Sequence, residues 1–269
     1  MDRRPIGIFD SGVGGLTALR SLRALLPCED LIFLADTARV PYGVRSAGEL
    51  NAIAEDNFLL LESLGVKAVL AACGTVSANC AALIDGWPTP ACGVLEPSVR
   101  AAAAAARGRA GVLATEATVR SGAFERLFAS IAPELELLSR GNTELVPLAE
   151  AGRTSPGDAE VRAALERALE PFRAAGTDTL ILGCTHFPLF SEAVKELLPG
   201  VTLINSGEAG ARAAAALCSG RGLLNPGPGP GSTHYFVSGD ISSFAAAAAR
   251  FLPGGIEAAE ISRAERERS

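Results

Sequence analysis

IGIFDSGVGGLT, residues 6–17, decides the fold class of this 269-residue chain. The apolar run 6–9 predicts a buried strand, and the apolar periodicity that follows the glycines predicts a helix over residues 15–26. A short turn containing Asp10 and Ser11 joins the two elements. A strand, a tight turn and a helix form the first half of a βαβ unit, the building block of parallel α/β folds.

The same alternation of apolar runs and helical stretches continues along the chain. The predicted strands are residues 6–9, 31–35, 68–72, 93–95, 111–114, 135–138, 145–148, 180–182, 201–204 and 235–237. The predicted helices are residues 15–26, 47–64, 77–84, 99–106, 123–131, 159–174, 190–198, 209–217 and 242–251. The pattern restarts near residue 111, which indicates two α/β halves whose parallel sheets are covered on both faces. The charged tail from residue 257 is expected to fray.

The glycine-rich turn at residues 10–16 favours an anion at the start of the following helix. It is not a P-loop, because no Gly-Lys-Ser/Thr follows, and Thr17 occupies the place of the third glycine of a dinucleotide-binding motif. Asp10 or Ser11 could simply cap the helix. An aspartate at a strand end beside three glycines could equally contact a ligand, and this segment alone leaves both interpretations open.

Composition excludes several classes of protein. Hydrophobic residues make up 48% of the chain and charged residues 20%, which excludes global disorder. The formal net charge of −6 argues against nucleic acid or an anionic membrane as the main partner. No signal-like segment precedes the first strand, and no apolar run reaches the roughly 18 residues of a membrane span. The expected location is therefore cytoplasmic.

Six cysteines are scattered along the chain without a Cys-X-X-Cys pair, so free thiols in a reducing compartment are expected. Only two histidines are present and the ligand spacing of a zinc site is missing, so no metal site is predicted. Four of the thiols are interpreted as small buried hydrophobic groups: Cys28, Cys80, Cys92 and Cys218.

Cys73 and Cys184 differ from these four because each lies at the carboxyl end of a predicted strand and is followed shortly by threonine. Functional residues of parallel sheets collect at these ends, where a helix N-terminus would lower the pKa of a thiol. Two cysteines in equivalent positions, one with His186 nearby, indicate that both have a catalytic role. The Cys184–His186 pair is also typical of a thiol hydrolase or acyltransferase, but that alternative leaves Cys73 without a role.

Two further segments carry candidate ligand-binding residues. Residues 36–43 follow the second strand, and their Pro-Tyr-Gly sequence fits a turn. Tyr42, one of only two tyrosines, lies in the loop region where ligands bind in such sheets. Glu150 ends the strand-like run 145–149, where it would either cap a helix or face the site.

In their joint order these segments resemble the glutamate racemases, of the cofactor-independent aspartate/glutamate racemase superfamily. The matching text is FDSGVGGLT (9–17), DTARVPYG (36–43), the Cys73 segment, ATEAT (114–118) with RSG (120–122), VPLAE (146–150) and LGCTHFPL (182–189). Together the matches cover roughly residues 6–210.

The resemblance implies two flavodoxin-like, doubly wound parallel-sheet α/β domains with the active site at their interface. Residues 1–94 plus 207–269 would form the first domain, and residues 95–206 the second. It further implies a cytoplasmic homodimer that supplies D-glutamate for peptidoglycan. Two alternatives remain: a racemase of aspartate or another amino acid, and a non-catalytic relative of the kind that binds DNA gyrase.

The implied reaction is proton transfer at the α-carbon of glutamate between two cysteines, without a cofactor. Cys184 would deprotonate L-glutamate and Cys73 D-glutamate, with Asp10, His186 and Glu150 as supporting catalytic groups. The implied substrate-binding residues are Asp10, Ser11, Pro41, Tyr42, Gly43, Gly74, Thr75, Thr118, Thr185 and His186. The lysines agree with a cofactor-free enzyme, because a pyridoxal enzyme needs a lysine for its Schiff base, whereas Lys67 leads into a strand and Lys195 lies within a helix.

One position departs from the family pattern. The usual Cys-Asn-Thr reads Cys-Gly-Thr at residues 73–75. In the family that asparagine normally helps to bind the amino-acid end of the substrate. Gly74 therefore predicts another group or a water in that role, weaker binding, or a different substrate.

Overall fold

The computed structural model describes residues 2–225, 227, 229–252, 254–257 and 261–264. Within these residues the chain forms two β-sheets whose strand pairs are all parallel. The first sheet contains β1 (Ile6–Asp10), β2 (Leu31–Ala35), β3 (Ala68–Ala71), β4 (Ala91–Gly93), β9 (Thr233–Val237) and β10 (Ile261–Arg263). The second sheet contains β5 (Arg109–Ala114), β6 (Glu136–Gly141), β7 (Thr179–Leu182) and β8 (Thr202–Asn205).

Each sheet is wound in both directions from its first strand. The strand orders are β10-β9-β2-β1-β3-β4 and β6-β5-β7-β8. In both sheets the chain first adds a neighbour on one side of the starting strand and then crosses to the other side. This order is flavodoxin-like and confirms the predicted fold class. The crossing leaves a crevice at the carboxyl ends of β1 and β3 and another at β5 and β7, where such sheets bind ligands.

Helices cover both faces of the two sheets. The described helices are α1 (Leu16–Leu25), α2 (Ala47–Ser63), α3 (Gly74–Asn79), α4 (Ala81–Gly86), α5 (Leu95–Ala105), α6 (Glu116–Arg120), α7 (Ala123–Ile131), α8 (Leu145–Glu150), α9 (Ala159–Ala174), α10 (Ser191–Leu197), α11 (Ser206–Gly220) and α12 (Ile241–Ala248). None of these helices combines the length and the apolar character needed to cross a bilayer.

The sequence of β1 is almost continuously apolar because both faces of this strand are buried. Ile6 and Ile8 are buried in the core that contains Leu22 of α1. Phe9 faces the opposite side of the sheet, where its ring meets that of Phe58 on α2 edge-on at 5.5 Å between centroids. Successive side chains of a strand point to opposite faces, so a sheet covered on both sides needs apolar residues at every position.

The two sheets draw their strands from different parts of the chain. Every strand of the first sheet falls within residues 1–94 or 207–269, and every strand of the second within 95–206. The junctions themselves, at 94/95 and 206/207, remain predictions.

The sequence-based interpretation was wrong at residues 145–148, which form the start of helix α8 rather than a strand. A short apolar run does not distinguish the two, and Pro147 is compatible with the first helical turn because backbone N–H groups there have no helical partner. Instead, Asn142 Oδ1 accepts hydrogen bonds from the backbone N–H groups of Glu144 and Leu145, at 3.0 and 2.9 Å.

Two smaller expectations also changed. The single helix predicted over residues 77–84 is two short helices that meet at Cys80. The tail does not fray throughout, because Ile261–Arg263 pairs with β9; residues 258–260 and 265–269 lie outside the described part of the chain.

A buried ion pair closes the amino-terminal edge of the first sheet, opposite the crevice. Lys67 Nζ lies 2.5 Å from Glu29 Oε2, and both side chains are almost fully buried. Lys67 also donates to the carbonyl oxygen of Asp2 at 2.8 Å, and Glu29 Oε1 accepts from the backbone N–H of Asn225 at 2.6 Å. The pair therefore ties together four distant parts of the first domain.

Lys67→Met should lower the free energy of unfolding by about 3–5 kcal/mol, because it leaves the Glu29 carboxylate buried without its cation. Urea denaturation would measure the loss. The double variant Lys67→Met/Glu29→Gln should recover part of the stability, since the glutamine can still accept from Asn225. Equal instability of the single and double variants would contradict this account.

Candidate active site

The two singled-out cysteines occupy matching positions in the two sheets. Cys73 lies two residues after the end of β3, and Cys184 lies two residues after the end of β7. Each therefore stands beside the crevice of its own sheet. Both thiols line a single cavity of about 540 Å³, which residues of both sheets enclose. Cys73 and Cys184 are only 5% and 7% exposed, so substrate would meet them in a largely dry environment.

The structure brings most of the predicted site residues to this cavity. Those that line it are Ser11, Pro41, Tyr42, Gly43, Cys73, Gly74, Thr75, Glu150, Cys184, Thr185 and His186. Asp10 and Thr118 do not line it, since both are fully buried behind the wall. Thr118 Oγ1 instead hydrogen-bonds to the hydroxyl of Thr115 at 2.8 Å, and Thr115 in turn reaches the hydroxyl of Thr75 at 3.1 Å.

Sequence reasoning missed several residues of the cavity wall. These are Gly12, Val40, Val44, Thr115, Glu116, Arg120, Asn142, Thr143, Val146 and Pro147. Thr115 and Asn142 directly follow β5 and β6, so the rule that places ligand sites at strand ends could have found them. Val146 and Pro147 were hidden by the wrong strand assignment.

Cys184 belongs to a chain of three ionisable side chains. Its Sγ lies 3.8 Å from Nδ1 of His186, whose Nε2 lies 3.4 Å from Oε1 of Glu150, within ion-pair range but without hydrogen-bond geometry. Burial by itself would lower the pKa of His186, but Cys184, Glu150 and the charge of Asp10 raise it to about 10. Contact with His186 lowers the pKa of Glu150. The raised pKa of His186 therefore places an imidazolium beside the sulfur of Cys184.

Cys73 has a different environment. Its Sγ lies 3.8 Å from the hydroxyl of Ser11. Burial and the nearby charge of Asp10 raise the pKa of Cys73 to about 12, so this cysteine rests as a neutral thiol. The two thiols thus have different neighbours, an imidazole at Cys184 and a hydroxyl at Cys73.

Asp10 lies behind the cavity wall and links the two sheets. It accepts a hydrogen bond from the backbone N–H of Gly12 at 3.0 Å and from the hydroxyl of Thr185 at 3.4 Å. Complete burial raises the pKa of Asp10, while the charge of His186 and these donors oppose the rise. Asp10 therefore acts on the site through Thr185 and through its charge rather than by direct contact with the cavity.

The loop after β2 is fixed by a buried carboxylate. Asp36 Oδ2 accepts from the Tyr42 hydroxyl at 2.5 Å and from Arg39 Nε at 2.6 Å. Asn57 Nδ2 donates to the same hydroxyl at 3.3 Å. Burial and the charge of Asp36 raise the pKa of Tyr42 well above its ordinary value, so the phenol stays neutral. Its hydroxyl donates to Asp36 and accepts from Asn57, which fixes the side chain of Tyr42 in the cavity wall.

The cavity wall carries charges of both signs. Glu116 and Glu150 contribute carboxylates, and Arg120 is the single Lys or Arg side chain among the described residues that line it. Arg120 reaches from α6 toward the first domain, where its Nη2 lies 3.4 Å from the carbonyl oxygen of Gly43. No group of three or more His, Cys, Asp or Glu side chains in the described part of the chain is arranged to hold a metal ion.

Comparison with known proteins matches both the sequence and the fold. The chain is 42% identical to the glutamate racemase of Symbiobacterium thermophilum over 261 residues, which cover 96% of this chain and 94% of that protein. It is 43% identical to the glutamate racemase of Geobacter metallireducens over 259 residues, 94% of each chain.

Solved structures of glutamate racemases also match the fold of this chain. The glutamate racemase of Thermus thermophilus in complex with β-chloro-D-alanine superposes with a TM-score of 0.87 at 37% identity, covering 98% of both chains. That of Francisella tularensis in complex with D-glutamate gives 0.88 at 30% identity, covering 96% of both. The sequence profile of the Asp/Glu/hydantoin racemase family matches residues 18–214. The chain therefore belongs to the Asp/Glu/hydantoin racemase family.

Proposed function

We propose that the protein is a glutamate racemase that interconverts L- and D-glutamate by proton transfer between Cys184 and Cys73, without a cofactor. One observation carries the proposal: two thiols, at equivalent strand ends of two sheets, line one cavity. A racemase needs an acid and a base on opposite faces of the same carbon. The relatives named glutamate racemase, at about 40% identity over nearly the whole chain, support glutamate as the substrate.

The reaction balances without any further reagent. The thiolate of one cysteine removes the α-proton of glutamate, and the electron pair stays on the substrate as a carbanion conjugated with the α-carboxyl group. The thiol of the other cysteine then donates its proton to the opposite face of that carbon. The product has the inverted configuration, and the two cysteines have exchanged protonation states.

The surroundings of the thiols support a resting form that is ready for the L-enantiomer. The imidazolium of His186 lies 3.8 Å from the sulfur of Cys184, while the raised pKa keeps Cys73 protonated. Following the resemblance, Cys184 then deprotonates L-glutamate, and Cys73 deprotonates D-glutamate in the reverse direction. Glu150 and Asp10 would hold the positive charge on His186, because both are acidic groups that raise its pKa.

Substrate binding would use the polar wall of the cavity. The hydroxyls of Ser11, Thr75 and Thr185 line it from both sheets and are suited to donate to carboxylates. Pro41, Tyr42, Gly43 and Gly74 would shape the same pocket, whereas Thr118 would act indirectly by orienting Thr115. Arg120 would attract the substrate's negative charge, since glutamate carries one more carboxylate than most amino acids.

We also propose a cytoplasmic homodimer that supplies D-glutamate for peptidoglycan, with neither nucleic acid nor membrane as a partner. The resemblance to the family supports the dimer and the pathway, and the net charge of −6 disfavours polyanionic surfaces. Sedimentation velocity would reveal a monomer if the dimer does not exist.

Cys73→Ala and Cys184→Ala should each lower racemisation by about 100- to 10,000-fold, the usual contribution of a positioned acid or base. Circular dichroism of a solution of L-glutamate measures the rate. In D₂O, early D-glutamate should carry deuterium at the α-carbon while unreacted L-glutamate keeps hydrogen, because each face has its own proton carrier. Cys28→Ala, a free thiol outside the cavity, should react at the wild-type rate. Failure of the wild type to racemise glutamate would reject the function.

His186→Gln should lower kcat from L-glutamate, because it removes the cation beside the Cys184 thiolate. The two enantiomers have equal free energy, so kcat/KM must fall equally in both directions. The loss of kcat should therefore be larger from L-glutamate than from D-glutamate. The wild-type rate from L-glutamate should also fall as the pH rises through about 10, where His186 loses its proton, and the variant should lack this alkaline limb. His234→Gln, which changes the other histidine, on β9, is the matched control. A symmetric loss of kcat would contradict the assignment.

Arg120→Met should raise KM for glutamate up to about fivefold, because an exposed charge pair contributes about 1 kcal/mol or less. The wild-type KM should rise with salt, and the KM of the variant should be less sensitive, since salt screens exposed charges. Arg162→Met on α9, which removes another exposed arginine outside the cavity, controls for the change in net charge. An unchanged KM would show that Arg120 does not contribute to binding.

A further inference from the structure

Gly74 brings the backbones of the two domains into direct contact between the two cysteines. It follows Cys73 and begins α3, while Gly183 precedes Cys184 at the end of β7. A β-carbon at position 74 would lie 2.5 Å from the carbonyl oxygen of Gly183, closer than the 3.0 Å that real β-carbons respect. The contact therefore exists only because residue 74 has no side chain.

Neither partner can move aside easily. The N–H of Gly183 donates to the carbonyl oxygen of Leu113 at 2.8 Å, which continues the β5–β7 ladder. A β-carbon on Gly183 would itself lie 3.0 Å from that of Ala114, so this residue is packed on its far side as well. Across the cleft, the carbonyl oxygen of Cys73 accepts from the N–H of Ser77 at 2.9 Å, which fixes the first turn of α3.

A second glycine of the first domain makes a similar approach. A β-carbon at Gly14 would lie 2.8 Å from Nδ1 of His186 and would also collide with Thr185. The segment 183–186 is thus seated against two positions that have no side chains. Gly14 and Gly74 are both absent from the glycines with positive φ, so space rather than backbone conformation requires glycine at these sites.

We propose that Gly74 is a positioning residue that sets the separation of the two thiols by letting the strand ends that carry them close backbone to backbone. The inference rests on the proposed function, in which both thiols act on one α-carbon. Any side chain at position 74 would have to push Gly183 away by roughly half an ångström or more. Misplacement of reacting groups by about 1 Å can reduce a rate about 100-fold.

A competing explanation is that Gly74 merely lacks an amide that an asparagine would supply for substrate binding. The two explanations predict opposite results for the same substitution. If the missing amide matters, Gly74→Asn should improve binding and activity. If the closure matters, Gly74→Asn and Gly74→Ala should both be slower than the wild type, since both introduce the same β-carbon.

The test compares Gly74→Ala and Gly74→Asn with Gly48→Ala. Gly48 also lies in the first turn of a helix of the first domain, but a β-carbon there meets nothing within 4 Å. We expect kcat to fall about 10- to 100-fold in both Gly74 variants, and thermal unfolding should show that all three variants remain folded at the assay temperature. Backbone amides of residues 183–187 should also exchange hydrogen faster, since the interface opens.

Three outcomes would test whether Gly74 controls the closure of the two strand ends. Wild-type kcat in Gly74→Ala, or a higher kcat in Gly74→Asn, would overturn the inference while the racemase function stands. Reduced kcat together with unchanged exchange at residues 183–187 would also overturn it, because the loss would then not arise from opening of the interface. If the wild type itself does not racemise glutamate, the proposed function fails, and the exchange rates of the Gly74 variants alone decide whether this residue controls closure.

Discussion

Parallel pairing of β1 with β3 and of β5 with β7 is the constraint on which the site depends. In a parallel sheet all strands end at the same edge, and a crossover on either side of the first strand leaves a crevice there. Because the chain repeats this arrangement in two sheets, each sheet offers one crevice with one thiol beside it. Opposed crevices enclose a cavity that neither sheet could form by itself, and an acid and a base can then approach one carbon from two sides.

The same geometry explains how ionisable groups are retained in a dry site. Buried charges are costly unless other charges or hydrogen-bond donors compensate them. Asp10 receives the N–H of Gly12 and the hydroxyl of Thr185, and Cys184 lies beside His186, which Glu150 flanks from a half-buried position. Of these pairings, the hydrogen bond from Thr185 to Asp10 crosses between the two domains, so the electrostatics of the site depend in part on how the domains meet.

Stability and chemistry occupy opposite ends of the first sheet. The amino-terminal edge is closed by the Lys67–Glu29 pair, which also hydrogen-bonds to the backbone of Asp2 and of Asn225. At the carboxyl-terminal edge, Gly74 and Gly14 of the first domain have no side chains where the second domain approaches them. A small displacement at this edge would change the distance between the two thiols.

The sequence by itself determined the fold class, because an apolar strand followed by a glycine turn and a helix has few other structures available, and repetition of that unit indicates a parallel sheet. It also identified Cys73, Cys184 and His186 as candidate functional residues, since strand ends are where such folds place functional groups. Residues 145–148 were misassigned because a four-residue apolar run carries no period that separates helix from strand. Arg120 became visible as a cavity residue only in the folded chain, as did the burial of Thr118 and Asp10 behind the wall. Direct contact of Gly74 with Gly183 was likewise decided by tertiary structure alone, because no local pattern reports the distance between two residues that lie more than a hundred positions apart and meet only when the sheets face each other.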